Sequence, residues 1–161
     1  MTEHAGFSPA SLPNTPIAWA ILLALATALL GCASVEKGSR EEAIRSFGYM
    51  GAEEELHLGA PTISPMVVGR GERLTRVLPI TLLAPRKETT FSVLETVSMS
   101  GEGVLIELWR RESERPQGTY ASTLQFIIPN DLPRGNYTLI TVVTANGVEK
   151  RDLTSFVVGG D

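Results

Sequence analysis

The chain has 161 residues, 14 Lys and Arg against 18 Asp and Glu, a formal net charge of −4 and a single cysteine. That length suits one domain with a leader and is too short for two large cores. The near-neutral balance excludes the basic surface that phosphate binding needs, and with it nucleic acid as a partner; one cysteine excludes an internal disulfide, so the fold rests on its apolar core.

The first pattern along the chain is an uncharged run from Ile17 to Leu30, followed by Gly31 and the lone Cys32. As a helix those residues reach roughly 21 Å, short of a ~30 Å hydrocarbon core and close to the length of a signal-peptide apolar region. Extended to Val35 the uncharged stretch just spans a bilayer, so an uncleaved membrane helix is the alternative reading. Residues 1–16 contain no Lys or Arg, unlike the usual basic start of a signal peptide.

Leu29-Leu30-Gly31-Cys32 resembles the lipobox of bacterial lipoproteins. The resemblance implies that residues 1–31 are a signal peptide, that the Cys32 thiol is acylated, and that the mature protein is held on a membrane by that lipid. Ala33 in place of Asp after the cysteine implies the outer membrane, with the domain facing the periplasm.

Residues 32–61 read as the acylated N-terminus and a tether. Ser39 and Glu42 have capping-box spacing, which predicts a short helix over Arg40–Phe47 ended by Gly48. Leu56-His57-Leu58 reads as a short strand.

From Thr62 the apolar period changes to two. Strands are expected over Ser64–Val68, Arg73–Leu83, Thr90–Met99, Val104–Arg110, Tyr120–Ile128, Asn136–Thr144 and Glu149–Val158. Pro79 places the second of these at a bulge or an edge. Ser100-Gly101-Glu102-Gly103 and Ala145-Asn146-Gly147 read as hairpin turns, and Arg111–Gly118 as a polar loop. Leu132-Pro133-Arg134-Gly135-Asn136-Tyr137 resembles the tyrosine corner of immunoglobulin-like sandwiches, which gives Leu132, Gly135 and Tyr137 a structural role. The expectation is an all-β fold: an immunoglobulin-like β-sandwich of about seven strands over residues 62–158, preceded by an N-terminal signal or anchor helix and a short tether.

The residues of known chemistries are sparse. Serine catalysis needs a base, and the two histidines are His4 in the leader and His57 in the tether. His57 beside Glu53-Glu54-Glu55 lacks the three or four ligands of a transition-metal site, and reads as a solvated acidic segment. Glu112 and Glu114 among Arg110, Arg111 and Arg115 read as a self-neutralising surface, not as a carboxylate pair for glycoside hydrolysis. No cofactor, metal or small-molecule substrate is expected. Trp109 with Arg110 and Arg111 is the best candidate for a binding surface, since Trp and Arg are enriched at interface hot spots; the plainer and preferred reading is a core or edge Trp whose arginines solubilise the strand end. The expected function is a non-enzymatic structural or protein-interaction module of the cell envelope whose partner is another envelope protein. The alternatives are an accessory subunit of a secretion, transport or assembly complex, and a carbohydrate-binding module.

Overall fold

A computed structural model describes residues 37–159; Cys32 and the whole leader lie outside the described residues. Alternating burial makes the long strands. β5 (Arg73–Leu83) turns Leu74, Arg76, Leu78, Ile80 and Leu82 inward. It pairs antiparallel with β8 (Gly118–Ile127), whose far edge carries the short β1 (Lys37–Gly38) at Thr119 and Tyr120. The other edge of β5 is shared by β2 (Glu55–Leu58) and β3 (Thr62–Ser64). Pro79 falls in the gap between those two, where β3 stops opposite Val77 and β2 begins opposite Ile80. Its carbonyl takes the Gly59 N–H at 2.9 Å. Its ring nitrogen points into the same gap, so the missing N–H breaks no ladder bond.

The second sheet runs β4 (Val67–Val68), β10 (Val148–Val158), β9 (Gly135–Ala145), β6 (Thr90–Gly101), β7 (Val104–Pro116). All pairs are antiparallel except β4 with β10. Two-residue turns close its hairpins. Asn146 (φ 46°) and Gly147 (φ 86°) join β9 to β10, and Glu102 (φ 48°) and Gly103 (φ 76°) join β6 to β7, both with the left-handed residues such turns demand. The fold is all-β, two sheets packed face to face.

The described residues hold ten strands, eight of them, β3 to β10, in the 62–158 span where about seven are expected, and three expectations change. Ser64–Val68 is two pieces in different sheets: β3 lies on β5, and the chain crosses at Pro65 and Met66 to put β4 on β10. Residues 111–116, read as a polar loop, continue β7 to Pro116. An edge strand tolerates charge on both faces, because each inward side chain still opens to water. The part of the supposed tether from Lys37 onward is packed on the sheets. α1 (Arg40–Phe47) is capped by Ser39 Oγ, which accepts from the Glu42 N–H at 3.1 Å. Its Ala43 is buried with Tyr49 against Leu83 at the end of β5.

The interior is divided. One apolar cluster gathers Leu74, Val97, Met99, Leu124, Phe126, Tyr137, Leu139 and Phe156; a second gathers Leu78, Ile80, Leu82, Phe91, Val93, Tyr120, Val143 and Ala145. Polar side chains also turn inward from the five long inner strands: Arg76 on β5, Ser122 on β8, Glu95 on β6, Thr141 on β9, and both Asp152 and Thr154 on β10.

A candidate interaction site at the open side between β7 and β8

Among the described residues strand β7 ends its sheet and pairs with β6 alone. Its ladder slips once: Val97 faces Trp109 while Ser98 faces Glu107, which leaves Leu108 as the extra residue of a bulge. A one-residue insertion reverses which side chains point inward. Before it Val104, Ile106 and Leu108 pack on the first apolar cluster, and Trp109, just past it, touches that cluster as well as the crevice. After it Trp109, Arg111, Ser113 and Arg115 are the half-buried residues, and Arg110, Glu112 and Glu114 are exposed. The bulge thus replaces an aliphatic inner face by a Trp and two arginines.

These four residues form one wall of a crevice. Tyr120, Ala121 and Ser122 of β8 form the other, over a floor of Ile80, Leu82, Val93 and Glu95. The enclosed space is about 20 Å³, room for roughly one water molecule. It is therefore a shallow seat under a free strand edge, not a pocket for a drug-sized ligand. Glu95 accepts a hydrogen bond from the Ser122 hydroxyl. Burial pushes the Glu95 carboxyl above its ordinary range, opposed by that bond and by Arg76, Arg111 and Arg115. The Arg115 guanidinium lies 5.5 Å from the centre of the Tyr120 ring, within cation–π range. Behind Glu95 the Arg76 side chain is fully buried, and none of its three nitrogens has a hydrogen-bond partner among the described residues. Burial pushes that guanidinium down, with Glu95 and then Asp152 opposing the shift.

The candidate trio Trp109, Arg110 and Arg111 is divided by the strand's own alternation. Trp109 and Arg111 share the crevice wall. Arg110 points the other way and pairs with Glu107 through Nε and Nη2, at 3.2 and 3.1 Å. Glu112 and Glu114 are exposed on the same side as Arg110.

Leu132, Gly135 and Tyr137 come together at the far end of the sandwich. The Tyr137 hydroxyl donates to the Pro133 carbonyl at 2.8 Å, and its ring stacks on Phe156 with centroids 5.7 Å apart. Leu132 is buried, and its carbonyl takes the Arg70 Nε–H at 2.8 Å. Burial and the nearby Glu102 raise the Tyr137 phenol above its ordinary pKa. A second copy of this geometry stands at the crevice. The Tyr120 hydroxyl donates to the carbonyl of Pro116, again four residues back. Pro116-Gln117-Gly118-Thr119-Tyr120 and Pro133-Arg134-Gly135-Asn136-Tyr137 share one Pro-x-Gly-x-Tyr pattern. Both glycines have positive φ, 135° at Gly118 and 148° at Gly135. A β-carbon on Gly118 would stand 2.6 Å from the Gly38 carbonyl oxygen, so β1 approaches β8 only because that residue is glycine. Gln117 is buried: its Oε1 accepts from Arg40 Nε at 2.9 Å and Ala84 N at 2.8 Å, tying α1 and the end of β5 to the start of β8.

His57 pairs with Glu55 at 2.7 Å and stacks on Phe47. Among the described residues no group of three or more His, Cys, Asp or Glu stands where it could hold a metal. Among them, too, no helix is long and apolar enough to cross a membrane.

No family model and no curated protein matches this chain. Solved structures resemble it in part. A β-glucosidase from Erythrobacter marinus aligns at a TM-score of 0.49 and 9% identity, over 66% of this chain and 16% of that one. An alkylpurine DNA glycosylase from Pseudomonas fluorescens aligns at 0.47 and 15%, over 75% and 38%. The sporulation control protein Spo0M from Bacillus subtilis aligns at 0.46 and 10%, over 68% and 51%. This chain spans between 16% and 51% of those three proteins.

Proposed function

We propose that the chain is a lipid-anchored, non-enzymatic protein-interaction module of a bacterial cell envelope, built on an immunoglobulin-like sandwich. The observation that carries the docking role is β7: a strand of 13 residues at the end of its sheet, its outer edge unpaired among the described residues and its inner face past the bulge lined by Trp109 and two arginines. Such an edge accepts a strand from another chain, with backbone bonds giving affinity and alternate side chains giving specificity. The Tyr137–Pro133 bond, made early in the penultimate strand, supports the immunoglobulin-like assignment.

The anchoring role rests on the lipobox sequence ending at Cys32. Lys37 enters β1 five residues later. At ~3.5 Å per residue the lipidated cysteine lies within roughly 18 Å of the sandwich. The domain is then held against the bilayer, with the α1 end towards it. Ala33 after Cys32 favours the outer membrane and a periplasmic position. In this setting the chain acts as an accessory subunit that recruits or braces another envelope protein.

The anchor is tested by mass spectrometry of the N-terminal peptide, after expression of the full chain in a bacterial host. The expected product begins at Cys32 and carries a diacylglyceryl group; Cys32→Ala leaves the leader uncut. A mature protein with an unmodified Cys32, or an intact leader on the wild-type chain, overturns the lipoprotein reading.

A further inference from the structure

We propose that the β7–β8 crevice recognises an extended acidic segment of a partner protein, which adds as a strand to the free edge of β7 and sets alternate carboxylates against Arg111 and Arg115. This rests on β7 being the docking edge and adds the chemistry of what docks there.

Three observations carry it. The first is the alternation along the half of β7 past its bulge: Trp109, Arg111, Ser113 and Arg115 all face the crevice. A strand laid beside them presents every second residue to the same space. The second is charge. Both arginines are half-buried, and no carboxylate of the described residues lies within 4 Å of either. The crevice carboxylate, Glu95, is held by Ser122 on the floor, in front of the buried Arg76. Glu95 stands across the ladder from Arg111 and both arginines act on its carboxyl, but neither guanidinium makes a direct ion pair with it, so each keeps hydrogen-bond donors for an incoming carboxylate, which it can grip with two parallel hydrogen bonds. The third is what a second copy would bring. The inward residues of this half of β7 include no acid, so pairing β7 with itself sets Arg, Ser and Trp against the same set and leaves the arginines unneutralised.

The register fixes the partner's pattern. Arg111 and Arg115 are four residues apart, about 13 Å along a strand. Neighbours in this sheet from β10 to β7 are antiparallel. A strand continuing that order reads acid–x–small–x–acid–x–apolar, with its first acid at Arg115, its small residue at Ser113, its second acid at Arg111 and its apolar side chain over Trp109.

The test uses the protein purified in neutral detergent from a gene carrying Trp19→Phe, so that Trp109 is the sole indole whether or not the leader is cut. The probe is a synthetic peptide containing Glu-Thr-Ser-Thr-Glu-Thr-Leu, titrated while Trp109 fluorescence is read. The expected result is saturable binding that weakens about tenfold on Arg111→Gln or Arg115→Gln, the effect of one lost charge-assisted hydrogen bond. It weakens similarly when both Glu of the peptide become Gln, and is unchanged by Arg134→Gln at the other end of the domain. Equal binding of the Glu and Gln peptides overturns the acidic occupant and leaves the docking edge standing. Absence of saturable binding overturns the inference, as does a response to phosphatidylglycerol vesicles in place of the peptide. Concentration-dependent dimerisation abolished by the same arginine substitutions also overturns it, in favour of a second copy.

Discussion

Pro116–Tyr120 and Pro133–Tyr137 share a pattern and a hydrogen bond, yet they stand in unlike halves of the sandwich. Tyr137 is 1% exposed, stacked on Phe156 in a half closed by the aliphatic stretch of β7. Tyr120 is 6% exposed and belongs to the half that opens at the crevice, with Arg115 over its ring. The comparison separates two jobs. The Pro-x-Gly-x-Tyr corner starts a strand and latches it, and works in either surrounding. Whether that half of the interior is closed or open is decided elsewhere, by the bulge at Leu108 that brings Trp and Arg inward in place of Val, Ile and Leu.

The largest expected effect lies in the polar layer between the halves. Glu95→Leu leaves Arg76 buried without the larger of its two counter-charges and frees the Ser122 hydroxyl; a loss of about 3 kcal/mol is expected in denaturant melts. Adding Arg76→Met should restore most of that loss, because an apolar pair of similar volume needs no neutralisation. A double variant no more stable than Glu95→Leu alone would show that the two side chains do not act together.

The layer also sets a pH dependence. The Glu95 pKa is raised in the fold, chiefly by burial. The folded state therefore binds this proton more tightly than the unfolded chain. The stability it contributes is fully present below the ordinary carboxylate value of 4.5 and is lost as pH rises through the higher folded value. Melts of Glu95→Gln across that window should lack this downward slope; an unchanged slope assigns it to other groups.

A smaller effect distinguishes the corners. On sequence alone Tyr120 belongs to a strand without a corner, so Tyr120→Phe would serve as a neutral control. The hydroxyl bond to Pro116 changes that expectation. Tyr137→Phe should cost about 2 kcal/mol, since its carbonyl partner is left short in the closed half. Tyr120→Phe should cost about 1 kcal/mol, since water from the crevice side can replace the lost hydroxyl. The reverse order in denaturant melts would contradict the assignment of closed and open halves.

Much of the second sheet is legible from residues alone. Asn146-Gly147 is a strong turn signal, and β9 alternates Tyr137, Leu139, Val143 and Ala145 inward, with Thr141 as the one polar residue in that phase. The crevice is not, because its residues come from strands that composition disguises. Arg111 to Arg115 look like a solvated loop until β6 is known to pair with them. Val104 to Leu108 and Trp109 to Arg115 are in phase only across the bulge. Two signals were present nonetheless. Arg76 keeps the phase of Leu74 and Leu78, and Glu95 keeps that of Val93 and Val97, so strict counting marks both as inward charges. The repeated Pro-x-Gly-x-Tyr marks Tyr120 as well as Tyr137. The pairing of β1 and β4 has no such signal, since two-residue strands carry no period.

The open half is the one assigned to docking, and site-specific photo-cross-linking in living cells tests that most directly. A photoreactive phenylalanine analogue replaces Ser113, on the crevice wall of β7, or Ser155, exposed on β10. A discrete light-dependent adduct is expected from position 113, weakened by Arg111→Gln, and none from position 155. Adducts of equal yield from both positions, or none from position 113, would contradict the docking assignment.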